Sequence, residues 1–323
     1  MAMTKSPHLA STPHSFAARI NDKIDPSSGV KYSAERCGDK LSVIIINYNT
    51  PEMTERVIRR FHECEPALEA EIILIDNNSN SKLAEETIAS LDVTYIENQE
   101  NVGFARAVNQ GINIATGEYI LLLNSDVLIE PGAITELLDF LEEDPAAGVV
   151  GPKMVYPDGR AQVSSGYFPN WLREFIRLST LYKIIPYSTF AKETRLNGNL
   201  FVRGGEVDWL SGGCLLIKRT LINQIGVFDG HYFFGIEDID FCFRTKQTGF
   251  KVFYHPQAQV IHHHGLSSGG PRTIKKMEME RDNLDYFMKK NYPERVASRA
   301  VINIMHSFKI LILRIILNSK LKI

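Results

Sequence analysis

Three apolar runs constrain the fold more than any other feature of this chain: Leu41-Ser42-Val43-Ile44-Ile45-Ile46, Glu71-Ile72-Ile73-Leu74-Ile75 and Tyr119-Ile120-Leu121-Leu122-Leu123. Each is too apolar for a half-exposed strand and reads as a buried strand of a parallel sheet. Pro51 suits the first turn of a helix running to about Cys64. Val93-Thr94-Tyr95-Ile96 gives a shorter strand, and Gly103 to Ala115 reads as a helix. Alternating β and α elements over this length predict an α/β, doubly wound, mostly parallel sheet. The runs end in Asn47-Tyr48-Asn49, Asp76-Asn77-Asn78-Ser79 and Asn124-Ser125-Asp126. Ligands of such sheets bind beyond the carboxyl ends of the strands, so the three clusters are expected to face one crevice.

The second half is less regular but chemically louder. Phe233-Phe234-Gly235-Ile236-Glu237-Asp238-Ile239-Asp240-Phe241-Cys242-Phe243-Arg244 sets three carboxylates within four residues, wrapped in aromatics. Burying a charge without a partner is costly. The cluster is therefore either an ion-pair knot with Arg244 or a reaction centre that needs a poised carboxylate. Around it, Tyr156-Pro157-Asp158-Gly159 reads as a turn, Trp171–Lys183 as a helix, and Cys214–Ile217 and Lys251–Tyr254 as strands.

Composition narrows the function classes. A formal charge of −2 over 323 residues leaves no global basic field, so nucleic acid is not expected as a partner. The four cysteines, Cys37, Cys64, Cys214 and Cys242, form no C-x-x-C pair, which argues against a zinc site or a disulfide framework and fits a reducing cytoplasm. Residues 1–40 lack an apolar core and read as a flexible arm, with 41–292 as one unit and 293–323 as a tail. There is no G-x-G-x-x-G fingerprint, P-loop or G-x-S-x-G elbow. What remains is a crevice with Asp76, Asp126 and Asp238 from separate segments, joined by His262, His263 and His264. A strand-end acid with an imidazole can hold a divalent cation beside a diphosphate. A separate carboxylate can take a proton from an attacking hydroxyl. That division of labour describes glycosyl transfer from a sugar nucleotide.

The motifs also occur in the order of a known family. Ser42 to Asn49, Ile75-Asp76-Asn77-Asn78-Ser79, Asn101-Val102-Gly103-Phe104-Ala105-Arg106-Ala107-Val108-Asn109 and Leu122-Leu123-Asn124-Ser125-Asp126 are followed by Trp209-Leu210-Ser211-Gly212-Gly213, Phe228-Asp229, Glu237-Asp238-Ile239-Asp240 and Val260-Ile261-His262. Over residues 41–270 the chain resembles a family 2 glycosyltransferase of the GT-A fold, in particular its bacterial rhamnosyltransferase-like members. The resemblance implies a Rossmann-like nucleotide-binding half and an acceptor half. It implies that Asp76 hydrogen-bonds the nucleotide base, with Asn47 and Asn49 near the nucleoside and Asn101, Gly103 and Asn109 lining its pocket. Asn124-Ser125-Asp126 stands at the family's D-x-D motif, with Asp126 a ligand to Mg²⁺ or Mn²⁺ and His262 completing the metal site. Asp238 is implied as the general base of an inverting reaction, and Glu237 as a catalytic neighbour that positions the acceptor or Asp238. Asp240 is expected to be structural. Trp209 is expected either to stack on an acceptor sugar or to lie in the core, and Gly212 and Gly213 to let backbone approach the ligand. Asn124 replaces the first aspartate of D-x-D, which weakens the metal site until a diphosphate adds oxygens.

By this resemblance the chain is a hexosyltransferase of bacterial polysaccharide or cell-envelope biosynthesis. It would take dTDP-L-rhamnose, or alternatively a UDP-hexose, and act on a glycan or polyprenyl-linked acceptor. A catalytically silent sugar-nucleotide-binding scaffold is the rival outside the enzyme class. The tail from Arg295 to Ile323 carries six cations and no acids among many Ile, Leu and Val. Arg299, Asn303, His306, Ser307, Arg314 and Asn318 fall on one stripe at about 100° per residue. No run reaches the roughly 18 to 20 uncharged apolar residues of a spanning helix. The composition fits a helix lying in the plane of an anionic bilayer on the cytoplasmic face, the alternative being packing on the domain or in a homo-oligomer interface.

Overall fold

The computed structural model describes residues 40–179, 202–263, 265 and 273–320. The expected arm over 1–39, the end of the Trp171–Lys183 helix, His264 and residues 321–323 lie outside the described residues.

In chain order the elements are β1 (Leu41–Asn47), α1 (Pro51–Cys64), β2 (Ala70–Asp76), α2 (Glu85–Ser90), β3 (Thr94–Glu97), α3 (Phe104–Ile114), β4 (Tyr119–Leu123), β5 (Val127–Ile129), α4 (Ala133–Glu143), β6 (Ala147–Val155) and β7 (Ser165–Gly166). They continue with α5 (Trp171–Ser179), β8 (Gly205–Val207), β9 (Trp209–Leu210), β10 (Cys214–Lys218), α6 (Arg219–Ile225), α7 (Glu237–Gln247), β11 (Lys251–His262), α8 (Ile274–Asn291) and α9 (Val296–Lys320).

The main sheet runs β3-β2-β1-β4-β10-β6-β11-β5, with β8 on β11. β1 pairs in parallel with β2 on one side and β4 on the other, so the strand order reverses there. β10 is antiparallel to both neighbours, and β11 returns parallel to β6. Beyond β4 the sheet is mixed.

The continuous apolar runs are explained by cover on both faces. Val43, Ile45, Ile72 and Leu74 point into one core layer with Val57, Ile58 and Phe61 of α1 and Leu137 and Leu141 of α4. Ile44, Ile46, Ile73 and Ile75 point the other way, onto Ala105, Val108 and Ile112 of α3 and Phe241 of α7. This is the period-2 alternation of a strand, with no polar face left over. The α3–β1 approach is tight at Gly111, where an added Cβ would sit 2.7 Å from Cγ2 of Ile44.

Two expectations change. The strand predicted over Lys251–Tyr254 continues to His262, because an irregularity between His255 and Gln259 absorbs extra residues and pairing with β6 resumes. The tail forms a 25-residue helix in which Val296–Ile316 is long and apolar enough to cross a membrane by length and composition, contrary to the reading from uncharged runs. Its polar stripe also points inward. Arg299 and Asn303 reach Asp285 of α8, Arg314 reaches Glu278, and His306 meets Glu174 of α5 at 3.2 Å. Ile302, His306 and Ile310 are buried, while Ile304, Phe308, Leu311 and Ile315 are all more than half exposed.

Candidate active site

The three strand-end clusters form one hydrogen-bonded network. Asn47, fully buried at the end of β1, donates from Nδ2 to Asp76 Oδ2 at 2.6 Å and accepts at Oδ1 from Thr50 and Thr54. Asp76 Oδ1 accepts from the Ser79 amide at 2.8 Å. Thr50 Oγ1 lies 2.9 Å from Ser125 Oγ, tying the cluster after β1 to the one after β4. Asn77 donates to Asn101 Oδ1, which also accepts from the Gly103 amide. The turns need left-handed backbone at Asn49 (φ 58°) and Asn78 (φ 63°), which asparagine tolerates. Asp76 is fully buried, accepts one of these hydrogen bonds on each oxygen, and braces the turns behind the cavity. Asn49 is exposed and accepts from the Asn80 amide.

Two cavities open in front of this network. The first, of about 130 Å³, is bordered by Tyr48, Asn77, Asn101 and Gly103, with Lys276 and Met279 of α8 opposite. The second, of about 200 Å³, is bordered by Gln162, Gly212, Gly213, Glu237, Asp238 and His262. Phe104, Asn124 and Phe234 line both, so the two share a wall where β4 ends. Lys276, Gln162, Phe104 and Phe234 were not among the expected site residues. Phe234 was visible as an aromatic flank of the acid cluster, whereas nothing in the local pattern of Lys276 pointed to the crevice.

Asn109 and Trp209 prove structural. Both ends of the Asn109 amide are spent on the Phe228 backbone, as donor at 2.8 Å and acceptor at 3.0 Å, so it clamps α3 to that loop instead of lining a pocket. Trp209 donates its indole N–H to the Tyr167 carbonyl at 3.0 Å and packs on Gly166 at the edge of the core.

The acid cluster splits into two environments. Gly235 (φ 86°) and Ile236 (φ 76°) lead into α7 through left-handed backbone. For a β-branched residue this is a strained conformation of the kind found at functional sites. It turns Glu237 and Asp238 toward the second cavity. Asp238 accepts from the Gly212 amide at 3.0 Å and from the Ile239 amide at 2.8 Å. Burial pushes its carboxyl above the usual range, against the pull of those amides. Glu237 is 5% exposed, and Oε2 has no hydrogen-bond partner among the described residues. Burial, then the charge of Asp238, raises its pKa to about 8. Of the two, Glu237 is the one whose carboxyl the neighbouring charge pushes further toward the protonated form. Arg244, the alternative partner of Asp238, binds Asp240 instead at 3.0 Å and the carbonyls of Ile225 and Val227.

At the end of β11, His262 Nε2 lies 3.3 Å from Oδ1 of the fully buried Asp126. No cluster of three or more His, Cys, Asp or Glu that would cage a metal occurs among the described residues. The pair nonetheless suits a hard cation. Ligands at about 2.1 Å and right angles stand about 3.0 Å apart, close to the observed separation. Two protein ligands leave the remaining positions to diphosphate oxygens and water. His263 donates its amide to the Asp126 carbonyl.

A strand-end crevice at the switch in strand order is where open α/β sheets bind their ligands. The chain belongs to glycosyl transferase family 2, whose model matches residues 42–225. It is a glycosyltransferase. It is 29% identical over 246 residues, 72% of this chain and 78% of the relative, to the N-acetylglucosaminyl-diphospho-decaprenol L-rhamnosyltransferase of Mycobacterium tuberculosis (strain H37Rv). It is 26% identical over 227 residues, 69% of this chain and 66% of the relative, to the low-salt glycan biosynthesis hexosyltransferase Agl10 of Haloferax volcanii. In fold it is similar to the mannosyltransferase PcManGT of Pyrobaculum calidifontis, solved with GDP-Man and Mn²⁺, with a TM-score of 0.51, 15% identity and coverage of 92% of this chain and 79% of that one. TarS of S. aureus, solved with UDP-GlcNAc, gives the same TM-score at 16% identity, covering 81% and 70%. The fold is thus GT-A.

Proposed function

We infer that this enzyme transfers a sugar, L-rhamnose from dTDP-L-rhamnose, with inversion onto a hydroxyl of a lipid-linked glycan acceptor. The observation that carries the mechanism is Asp238. It faces the cavity next to the strand-end crevice and is held only by backbone amides in the described contacts, while Arg244 is bound elsewhere.

The nucleoside occupies the first cavity against Tyr48, Asn77 and Asn101, with Asn47 and Asp76 bracing those turns from behind. The diphosphate lies at the shared wall beside Asn124, where Lys276 faces its charge. The sugar enters the second cavity, where Gly212 and Gly213 present backbone without side chains. Asp238 takes the proton of the acceptor hydroxyl as its oxygen attacks the anomeric carbon. The bond from that carbon to the diphosphate oxygen breaks, the nucleoside diphosphate leaves with the electron pair, and one displacement inverts the centre. General-base assistance of this kind contributes about 10² to 10⁴ in rate. Glu237, protonated, adds a donor beside Asp238 without a second negative charge. Mg²⁺ or Mn²⁺ bound at Asp126 and His262 would supply neutralisation of charge developing on the departing diphosphate. Phe104 and Phe234 exclude water from the wall where the bond breaks.

The choice of rhamnose and of a polyprenyl-linked acceptor is supported by the mycobacterial relative's name. The outward apolar stripe of α9 suits the same acceptor class, since it would seat the enzyme on the cytoplasmic face of a membrane. A thermal-shift panel of nucleotide sugars, with and without Mn²⁺, tests the donor. Stabilisation by dTDP-rhamnose, enlarged by metal, is expected. Stabilisation by a UDP-hexose alone would replace the sugar and keep the chemistry, no response to any donor would overturn the donor reading, and donor binding without turnover would favour the silent scaffold.

A further inference from the structure

The hairpin Tyr156-Pro157-Asp158-Gly159-Arg160 folds the chain back on β6, closed by Gly159 N–H to the Tyr156 carbonyl and Tyr156 N–H to the Arg160 carbonyl, both at 2.8 Å. Its return brings in Gln162, whose amide N–H bonds the Met154 carbonyl and whose side chain is 6% exposed. That side chain grips one residue twice. Nε2 donates to the His262 carbonyl at 2.8 Å, and Oε1 lies 2.9 Å from His262 Nδ1. A carbonyl oxygen only accepts, so the first bond fixes which end of the amide is nitrogen. The other end is then an acceptor, and Nδ1 must carry the hydrogen that meets it.

We propose that Gln162 is a positioning residue that holds a hydrogen on His262 Nδ1 and so fixes the ring with Nε2 turned toward Asp126. This rests on reading Asp126 and His262 as metal ligands. A ligating histidine is oriented through the hydrogen bond of its other nitrogen, and loss of that partner typically costs about 10- to 100-fold in metal affinity. Neither the spacing of the histidines nor the turn sequence discloses the pairing, which joins residues 100 positions apart.

Metal-free full-length protein labelled with ¹⁵N in histidine tests the tautomer directly, the His262 signals being assigned by their loss in His262→Ala. The wild type is expected to carry the hydrogen on Nδ1. Gln162→Met, of similar size, should lose that signature, and Gln162→Glu, which keeps an acceptor for Nδ1–H while losing the donor to the His262 carbonyl, should keep the hydrogen on Nδ1. Mn²⁺ affinity in the presence of dTDP or UDP, read by electron paramagnetic resonance, should fall about 10- to 100-fold in Gln162→Met and much less in Gln162→Glu. A wild-type His262 with no hydrogen on Nδ1 overturns the proposal, as does an Nδ1 hydrogen unmoved in Gln162→Met. Should Gln162→Met fail to fold, the wild-type and Gln162→Glu spectra still decide it. If Asp126→Asn and His262→Ala leave Mn²⁺ affinity unchanged, the metal reading fails separately, whatever the tautomer.

Discussion

One turn of α7 carries two aspartates with opposite fates. Asp240 is fully buried and bound by Arg244 at 3.0 Å, Lys290 at 2.8 Å, Asn291 at 3.1 Å and Tyr232 at 3.3 Å. Asp238, two residues earlier, meets the amides of Gly212 and Ile239 and the open cavity. The same residue type on the same helix is a cross-link in one place and, in the proposed mechanism, the base in the other. Cations within reach tie up both oxygens of Asp240, whereas burial beside backbone amides raises the affinity of Asp238 for a proton.

The sharpest way to break this contrast is Asp240→Asn. Removing one member of a buried ion pair leaves uncompensated cations and typically costs about 3–5 kcal/mol. Denaturant unfolding should show a loss of that order, with the remaining folded enzyme still active. A variant of wild-type stability would make the knot ornamental. Lys276→Ala addresses the donor side of the same crevice. Loss of one charge-assisted contact to a diphosphate should raise the donor KM about tenfold with stability unchanged, and an unaltered KM would remove Lys276 from the crevice.

Glu237→Gln sharpens the account of the pair. The folded pKa of Glu237 is raised to about 8 from a usual 4.5. Between these values the folded state holds a proton that the unfolded state has released, so rising pH destabilises the wild type through this group. Gln cannot titrate. Thermal unfolding should therefore show Glu237→Gln gaining on the wild type from pH 5 to pH 8, and a gap constant with pH would contradict the raised value. The smallest effect is expected at the surface. Replacing Ile304 and Phe308 together by Asp should lower sedimentation with anionic vesicles several-fold without changing turnover on soluble substrates, by analogy with the cost of exposing apolar area. Unchanged sedimentation would leave α9 without a membrane role.

Much of the fold was readable because burial leaves a period in the sequence. The runs at Ile44–Ile46, Ile72–Ile75 and Ile120–Leu123 are apolar on both faces since α1 and α4 cover one side of the sheet and α3 and α7 the other. The acid cluster was readable because aromatics rarely surround idle carboxylates. What periodicity cannot carry is the partner. The stripe Arg299-Asn303-His306-Arg314 was visible, yet its inward direction depends on Asp285, Glu278 and Glu174, which lie on other helices. Asn109 and Asn101 share one motif, but the Phe228 loop claims the first and the strand-end cavity keeps the second. Gln162 and Lys276 reach the site through a hairpin return and a late helix, routes that leave no local mark.

The central claim, that Asp238 is the base, is tested most directly by Asp238→Asn in one pair of measurements. These are donor affinity by calorimetry and release of nucleoside diphosphate in the presence of acceptor. The account predicts donor affinity within about twofold of wild type and turnover lower by about 10² to 10⁴. Turnover equal to wild type at matched donor occupancy would contradict it.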